Sequence, residues 1–124
     1  MITQKKVVCI KHGVAQEDFD SVLTQNGFEV IHTTHQENDV NCVSRETPDI
    51  ILIDLSNCPS SIWDMYHQIR QSIRTCNIPV ILIASRLKRI EDLQQLYAAN
   101  AADCLMKPFA PQELVMSINQ ALLN

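Results

Sequence analysis

Glycine is almost missing from this chain: of 124 residues only Gly13 and Gly27 are glycine, and they stand far apart. That excludes a P-loop, a G-x-G-x-x-G dinucleotide turn and any other glycine-rich phosphate cradle. No stretch reaches the ~18–20 uninterrupted apolar residues of a membrane helix. The polar segment Met1 to Lys6 leads into an apolar run too short for a signal-peptide core, so a cytoplasmic chain without membrane contact is expected. Five cysteines (Cys9, Cys42, Cys58, Cys76, Cys104) are odd in number and include no C-x-x-C. They read as reduced thiols rather than as a disulfide framework or zinc site. His32 and His35 stand at i, i+3 without a carboxylate or cysteine at ligand spacing, and no metal site is expected there. A net charge of −4 argues against a nucleic-acid surface spread over the whole domain.

At 46% hydrophobic and 19% charged, the chain holds enough apolar side chains for a buried core. Its length suits one domain, spanning 1–124. Val7-Val8-Cys9-Ile10, Val30-Ile31, Ile50-Ile51-Leu52-Ile53, Val80-Ile81-Leu82-Ile83 and Cys104-Leu105-Met106 are short, uninterrupted apolar runs. Such runs suit strands buried on both faces. Between them lie helical spacings. Phe19, Val22 and Leu23 are followed by the stop Asn26-Gly27; a weak helix surrounds Val40 and Val43. Ile62, Met65, Ile69 and Ile73 follow a capping pair, Ser61 and Asp64; Leu87, Ile90, Leu93 and Leu96 stop near Asn100. A last helix carries Leu114, Ile118 and Leu122, with Pro111 in its first turn. The alternation βαβαβαβαβα specifies an α/β fold, a doubly wound five-stranded parallel sheet with helices on both faces. In such sheets polar residues at the carboxyl ends of strands line the functional crevice. Those ends are Lys11-His12, Asp54, Ala84-Ser85 and Lys107.

The order of these pieces resembles a response-regulator receiver domain of two-component signalling. The residues that carry the likeness are Pro48-Asp49-Ile50-Ile51-Leu52-Ile53-Asp54, Pro79-Val80-Ile81, and Ala101-Ala102-Asp103-Cys104-Leu105-Met106-Lys107-Pro108-Phe109. The resemblance implies a flavodoxin-like (βα)5 receiver fold. It places the phosphoacceptor position on Asp54 and the phosphate-contacting lysine on Lys107. The acidic pair that binds Mg²⁺ in the family falls on Lys11 and His12, so it is substituted. The hydroxyl position falls on Ala84 when counted from Pro79 and on Ser85 when counted back from Lys107. The aromatic switch position falls on Cys104, and the Asp-Gly of the loop after Asp54 is missing.

These departures have physical consequences. Mg²⁺ demands oxygen ligands in octahedral geometry, and an ammonium at Lys11 repels a divalent ion. Weak or absent Mg²⁺ binding, and little phosphorylation, are therefore expected. Lys11 and Lys107 are expected to flank Asp54 and neutralise it permanently, a charge-locked crevice. With Cys104 in place of the aromatic, the family's switch loses a moving part. Arg86, Lys88 and Arg89 cluster at the start of the fourth helix, where positive charge opposes the macrodipole. The resemblance makes the face of the fourth helix, fifth strand and fifth helix a docking surface for a kinase, an output domain or a second copy. The cluster is too small to argue for direct nucleic-acid contact.

Three functions compete. The first is a pseudo-receiver, a non-catalytic interaction module in a two-component or transcriptional pathway. The second is a receiver still phosphorylated at Asp54. The third is a flavodoxin-like ligand binder or enzyme, for which no nucleophile–base pair can be named.

Overall fold

The computed structural model of the chain describes residues 4–11, 19–34, 39–56, 61–85, 94–96 and 98–123. Five strands, β1 (Lys5–Lys11), β2 (Phe28–Thr34), β3 (Ile50–Asp54), β4 (Val80–Ala84) and β5 (Asp103–Met106), form one parallel sheet in the order β2-β1-β3-β4-β5. The helices α1 (Phe19–Gln25), α2 (Asp39–Glu46), α3 (Ile62–Gln71) and the C-terminal helix (Pro111–Leu123) connect or follow them, and residues 94–96 are helical as well. The expected doubly wound sheet is what forms.

The uninterrupted apolar runs are buried on both sides because the strands feed two cores. On one face Val8, Ile10, Ile51, Ile53, Val80, Leu82 and Ala84 pack with Val43 of α2 and with Ile62, Trp63, Met65, Tyr66 and Ile69 of α3. On the other face Val7, Cys9, Ile50, Leu52, Ile81 and Ile83 pack with Leu23 of α1 and with Leu114, Ile118 and Ala121 of the C-terminal helix. Alternate residues of a strand point to opposite faces. Extending that period to the strand ends assigns Lys11, Asp54, Ser85 and Lys107 to the second face, together. Ala84 falls on the first face and is fully buried there.

Register is pinned at the other end of the sheet. The Lys6 N–H donates to Asp49 Oδ2 (2.7 Å), and the Asp49 N–H donates to the Lys6 carbonyl (2.9 Å). This reciprocal pair sets Val7 opposite Ile50 and Ile10 opposite Ile53, so β1 and β3 end side by side at Lys11 and Asp54.

Helix ends follow local chemistry, with two departures from the sequence expectation. Gly27 ends α1 at φ +88°, and Asn100 adopts φ +53°, both left-handed conformations suited to their residue types. Ser61 does not cap α3 through its side chain, because its own backbone is helical (φ −62°, ψ −13°) where a cap needs an extended residue. Its carbonyl instead accepts from the Asp64 and Met65 N–H groups (3.1 and 3.3 Å). Ile73 does not continue the buried stripe of Ile62, Met65 and Ile69. The chain leaves the helix at Ser72 (φ −80°, ψ +134°), which breaks the helical phase and leaves Ile73 93% exposed.

Candidate functional site

In an open parallel sheet the crevice lies outside the carboxyl ends of the strands where the strand order reverses. Here that point is between β1 and β3. Asp54 ends β3 there and is only 6% exposed. Both of its oxygens are held: Oδ2 accepts from Lys107 Nζ at 3.0 Å, and Oδ1 accepts from the Ser56 N–H at 2.9 Å. Lys107 reaches it because β5 carries Met106 opposite Ala84, and the Lys107 N–H then donates to the Ala84 carbonyl (2.8 Å). The Leu55 N–H in turn donates to the Ile83 carbonyl (2.7 Å), which fixes the turn after Asp54.

Of the two counts for the hydroxyl position, Ser85 is the residue that stands beside this turn. Ser56 Oγ donates to Ser85 Oγ at 3.3 Å, whereas the Ala84 methyl is buried among Leu82, Ile53 and their neighbours. Cys104 lies on the α3 side of the sheet, partly buried against Leu82 and Ala84. Burial, and then the charge of Asp103, raise its thiol pKa.

Lys11 ends β1 beside Asp54 and makes an ion pair with α1. Lys11 Nζ is 4.0 Å from Asp20 Oδ1, and the other carboxylate oxygen of Asp20 meets His32 Nε2 of β2. Asp20 and its pairing with His32 went unnoticed in the sequence, since the three residues are separated by lengths that no helix or strand period relates. His12, Arg86, Lys88, Arg89 and His35 lie outside the described residues.

Cys9 sits under this group on β1, opposite His32 and Leu52. Burial pushes its thiol from the ordinary 9.0 up to about 12; Lys11 opposes the rise, while Asp20 and Asp54 add to it. The folded value lies above the unfolded one, so this thiol's contribution to stability is complete below pH 9.0 and is lost as pH rises toward about 12. Urea unfolding should show a decline of up to about 1.4 kcal/mol per pH unit in that window, which Cys9→Ala removes. In the folded protein at neutral pH, iodoacetamide should modify Cys42, Cys76 and Cys104, all partly exposed, well before Cys9. Early labelling of Cys9 would show that β1 opens to solvent.

The arrangement can offer an ammonium and hydroxyl donors to an anion placed against it. Comparison with known proteins identifies the family. A family model for the response regulator receiver domain matches residues 11–119. The phosphate regulon transcriptional regulatory protein PhoB of Escherichia coli K12 is 34% identical over 102 residues, covering 82% of this chain and 44% of PhoB. The probable transcriptional regulator ycf29 of Cyanophora paradoxa is 29% identical over 100 residues, covering 81% of this chain and 47% of its own length. The chain thus spans about half the length of the curated relatives it matches. Among solved structures, the receiver domain of the Pseudomonas aeruginosa PAO1 sensor histidine kinase PA1611, with magnesium coordinated in its active-site cleft, superposes with a TM-score of 0.84. It is 20% identical and covers 98% of this chain and 100% of that one, a likeness of fold. A receiver domain of a Syntrophus aciditrophicus histidine kinase gives a TM-score of 0.80 at 20% identity, covering 96% and 90%. With the family model matched from the end of β1 into the C-terminal helix, the chain belongs to the response regulator receiver domain family.

Proposed function

We propose that this receiver domain works as a pseudo-receiver: an interaction module of a two-component or transcriptional pathway that does not depend on Mg²⁺-assisted phosphorylation. The observation that carries the reading is the lysine at the end of β1. Phosphoryl transfer to a carboxylate needs cations that neutralise the equatorial oxygens, and receivers use Mg²⁺ for this. Among the described residues, the donors at the β1–β3 crevice do not fit that ion. Lys11 brings an ammonium where a carboxylate is needed, Lys107 occupies Asp54 Oδ2, and Asp20 is engaged by Lys11 and His32.

In this reading the domain is cytoplasmic, is not an enzyme, and touches a protein partner rather than nucleic acid. The partner is a kinase, an output domain or a second copy. The face expected for it includes β5, an edge of the sheet on which Met106 is half exposed. From the sequence alone, the cluster Arg86, Lys88 and Arg89, outside the described residues, is the basic candidate for it.

The second reading, a phosphorylatable receiver, draws on the retained Asp54–Lys107 pair and on Ser85 beside it. Intact-mass spectrometry after incubation with Mg²⁺ and acetyl phosphate separates the two. The expected result is an unmodified mass. A single phosphoryl adduct that Asp54→Ala lacks would overturn the pseudo-receiver reading and leave the second one standing.

A further inference from the structure

On the α3 side of the sheet, away from Asp54, a cavity of about 370 Å³ is lined by Tyr66, His67 and Arg70 of α3, by Cys76, and by Ala98 to Asn100. Its size falls in the range of small-ligand sites. Arg70 is the residue that gives it chemistry. Its Nε donates to Tyr66 Oη (3.1 Å), and Nη1 donates to the carbonyls of Cys76 (3.3 Å) and Ile78 (3.0 Å). The guanidinium carbon stands 5.4 Å from the centre of the Tyr66 ring. Tyr66 Oη passes the hydrogen bond on to the Ala99 carbonyl. These contacts hold the guanidinium in one place, so a ligand would meet a donor whose conformational entropy is already spent.

Every one of those partners is neutral. Among the described residues no carboxylate pairs with Arg70, and the hydrogen bonds use Nε and Nη1, leaving the Nη2 edge for a further acceptor. A half-buried cation with only neutral partners is best completed by an anion, and the planar fork of arginine suits oxyanions in particular. His67, one turn before Arg70, adds a second nitrogen donor at the exposed rim; its Nε2 lies 3.4 Å from Gln95 Oε1. Asn100, left-handed at φ +53°, brings a polar side chain and backbone to the opposite wall. Among the described residues, no aspartate or glutamate lines the cavity.

We propose that this cavity binds a small dianionic oxyanion, of the phosphate or dicarboxylate kind, on Arg70, His67 and Asn100. Such a ligand would tie α3 to the turn that enters β5. That gives the domain an input which needs neither Asp54 nor a metal.

The test is a ¹H–¹⁵N NMR titration of the chain with sodium phosphate, a parallel titration with sodium succinate, and sodium chloride at matched ionic strength. Saturable shifts at Arg70 Nε–H and at the His67, Cys76 and Asn100 amides, absent with chloride, are expected for at least one of the two anions. Which anion produces them identifies the source. Ala98→Glu puts a carboxylate on the exposed cavity wall without touching the partners of Arg70. It should weaken the binding about tenfold, the effect of roughly 1.4 kcal/mol of like-charge repulsion. His67→Glu, also at an exposed position, is an independent second variant should the first fail to fold. Shifts reproduced by chloride, binding unaltered by the variants that introduce a carboxylate, or no saturable shifts with either anion would each overturn the proposal.

Discussion

Lys107→Met will lower the unfolding free energy by about 3 kcal/mol, and Asp54→Asn in the same background will return most of that loss. The Lys107 and Asp54 side chains are 14% and 8% exposed, and 3.0 Å separates Nζ from Oδ2. Removing the ammonium takes the facing cation away from a buried carboxylate, while the Ser56 N–H still donates to Oδ1. The cost is that of an uncompensated buried charge, which is larger than the net worth of the pair itself. Neutralising Asp54 removes the charge, and the double variant thereby separates the pair from the other contacts of Lys107. Urea midpoints of the four proteins measure it. Lys11→Met serves as the contrast: its pair with Asp20 is longer, at 4.0 Å, and Asp20 is 43% exposed, so a loss below about 1 kcal/mol is expected. Equal losses for Lys11→Met and Lys107→Met would mean that both ammonium groups hold Asp54, as the charge-locked crevice supposes. A Lys107→Met protein as stable as the wild type would mean that water screens the pair.

The second large effect tests where α3 stops. Ile69→Ala removes a fully buried side chain from the core between α3 and the sheet, and should cost about 3 kcal/mol through lost burial and the cavity left behind. Ile73→Ala, four residues on and at the next position of the same helical stripe, should change stability by less than about 0.5 kcal/mol because Ile73 is 93% exposed. Thermal or urea unfolding of the two variants reads the difference. A comparable loss at Ile73 would show that the helix continues past Gln71 and carries that side chain into the core.

Both predictions bear on function through the same geometry. Ile69 and Tyr66 on α3 set where Arg70 sits, and the Lys6–Asp49 register sets where Asp54 sits relative to Lys11. Between the two sites runs the sheet, whose parallel strands deliver one set of side chains to the crevice and the alternate set to α3.

How far each feature could be read from sequence depended on how local its cause is. Uninterrupted runs such as Ile50-Ile51-Leu52-Ile53 declare a strand buried on both faces, because only that environment tolerates apolar residues at successive positions. Gly27 and Asn100 declare helix ends because the left-handed conformation there is a property of the residue itself. The alternation of these elements gave the fold class, and Asp54 and Lys107 could be placed at strand ends for the same reason. The stripe from Ile62 to Ile73, by contrast, looked unbroken, since periodicity cannot see that Ser72 turns extended. Ser61 looked like a cap because its residue type was right while its backbone was not.

By itself, then, the sequence determined the alternation of strand and helix, the doubly wound sheet, and the presence of a lysine where a metal-binding carboxylate is usual. The first two follow from residue type and short-range period, and the third from the resemblance to receiver domains. Only the tertiary structure decided that Lys11 pairs with Asp20, that Ser85 rather than Ala84 stands beside the Asp54 turn, and that Arg70 faces a cavity with, among the described residues, neutral partners alone. The Lys11–Asp20 and Ser56–Ser85 contacts join residues nine and twenty-nine positions apart, and no local pattern records them, because they are fixed by which elements lie side by side and in what register.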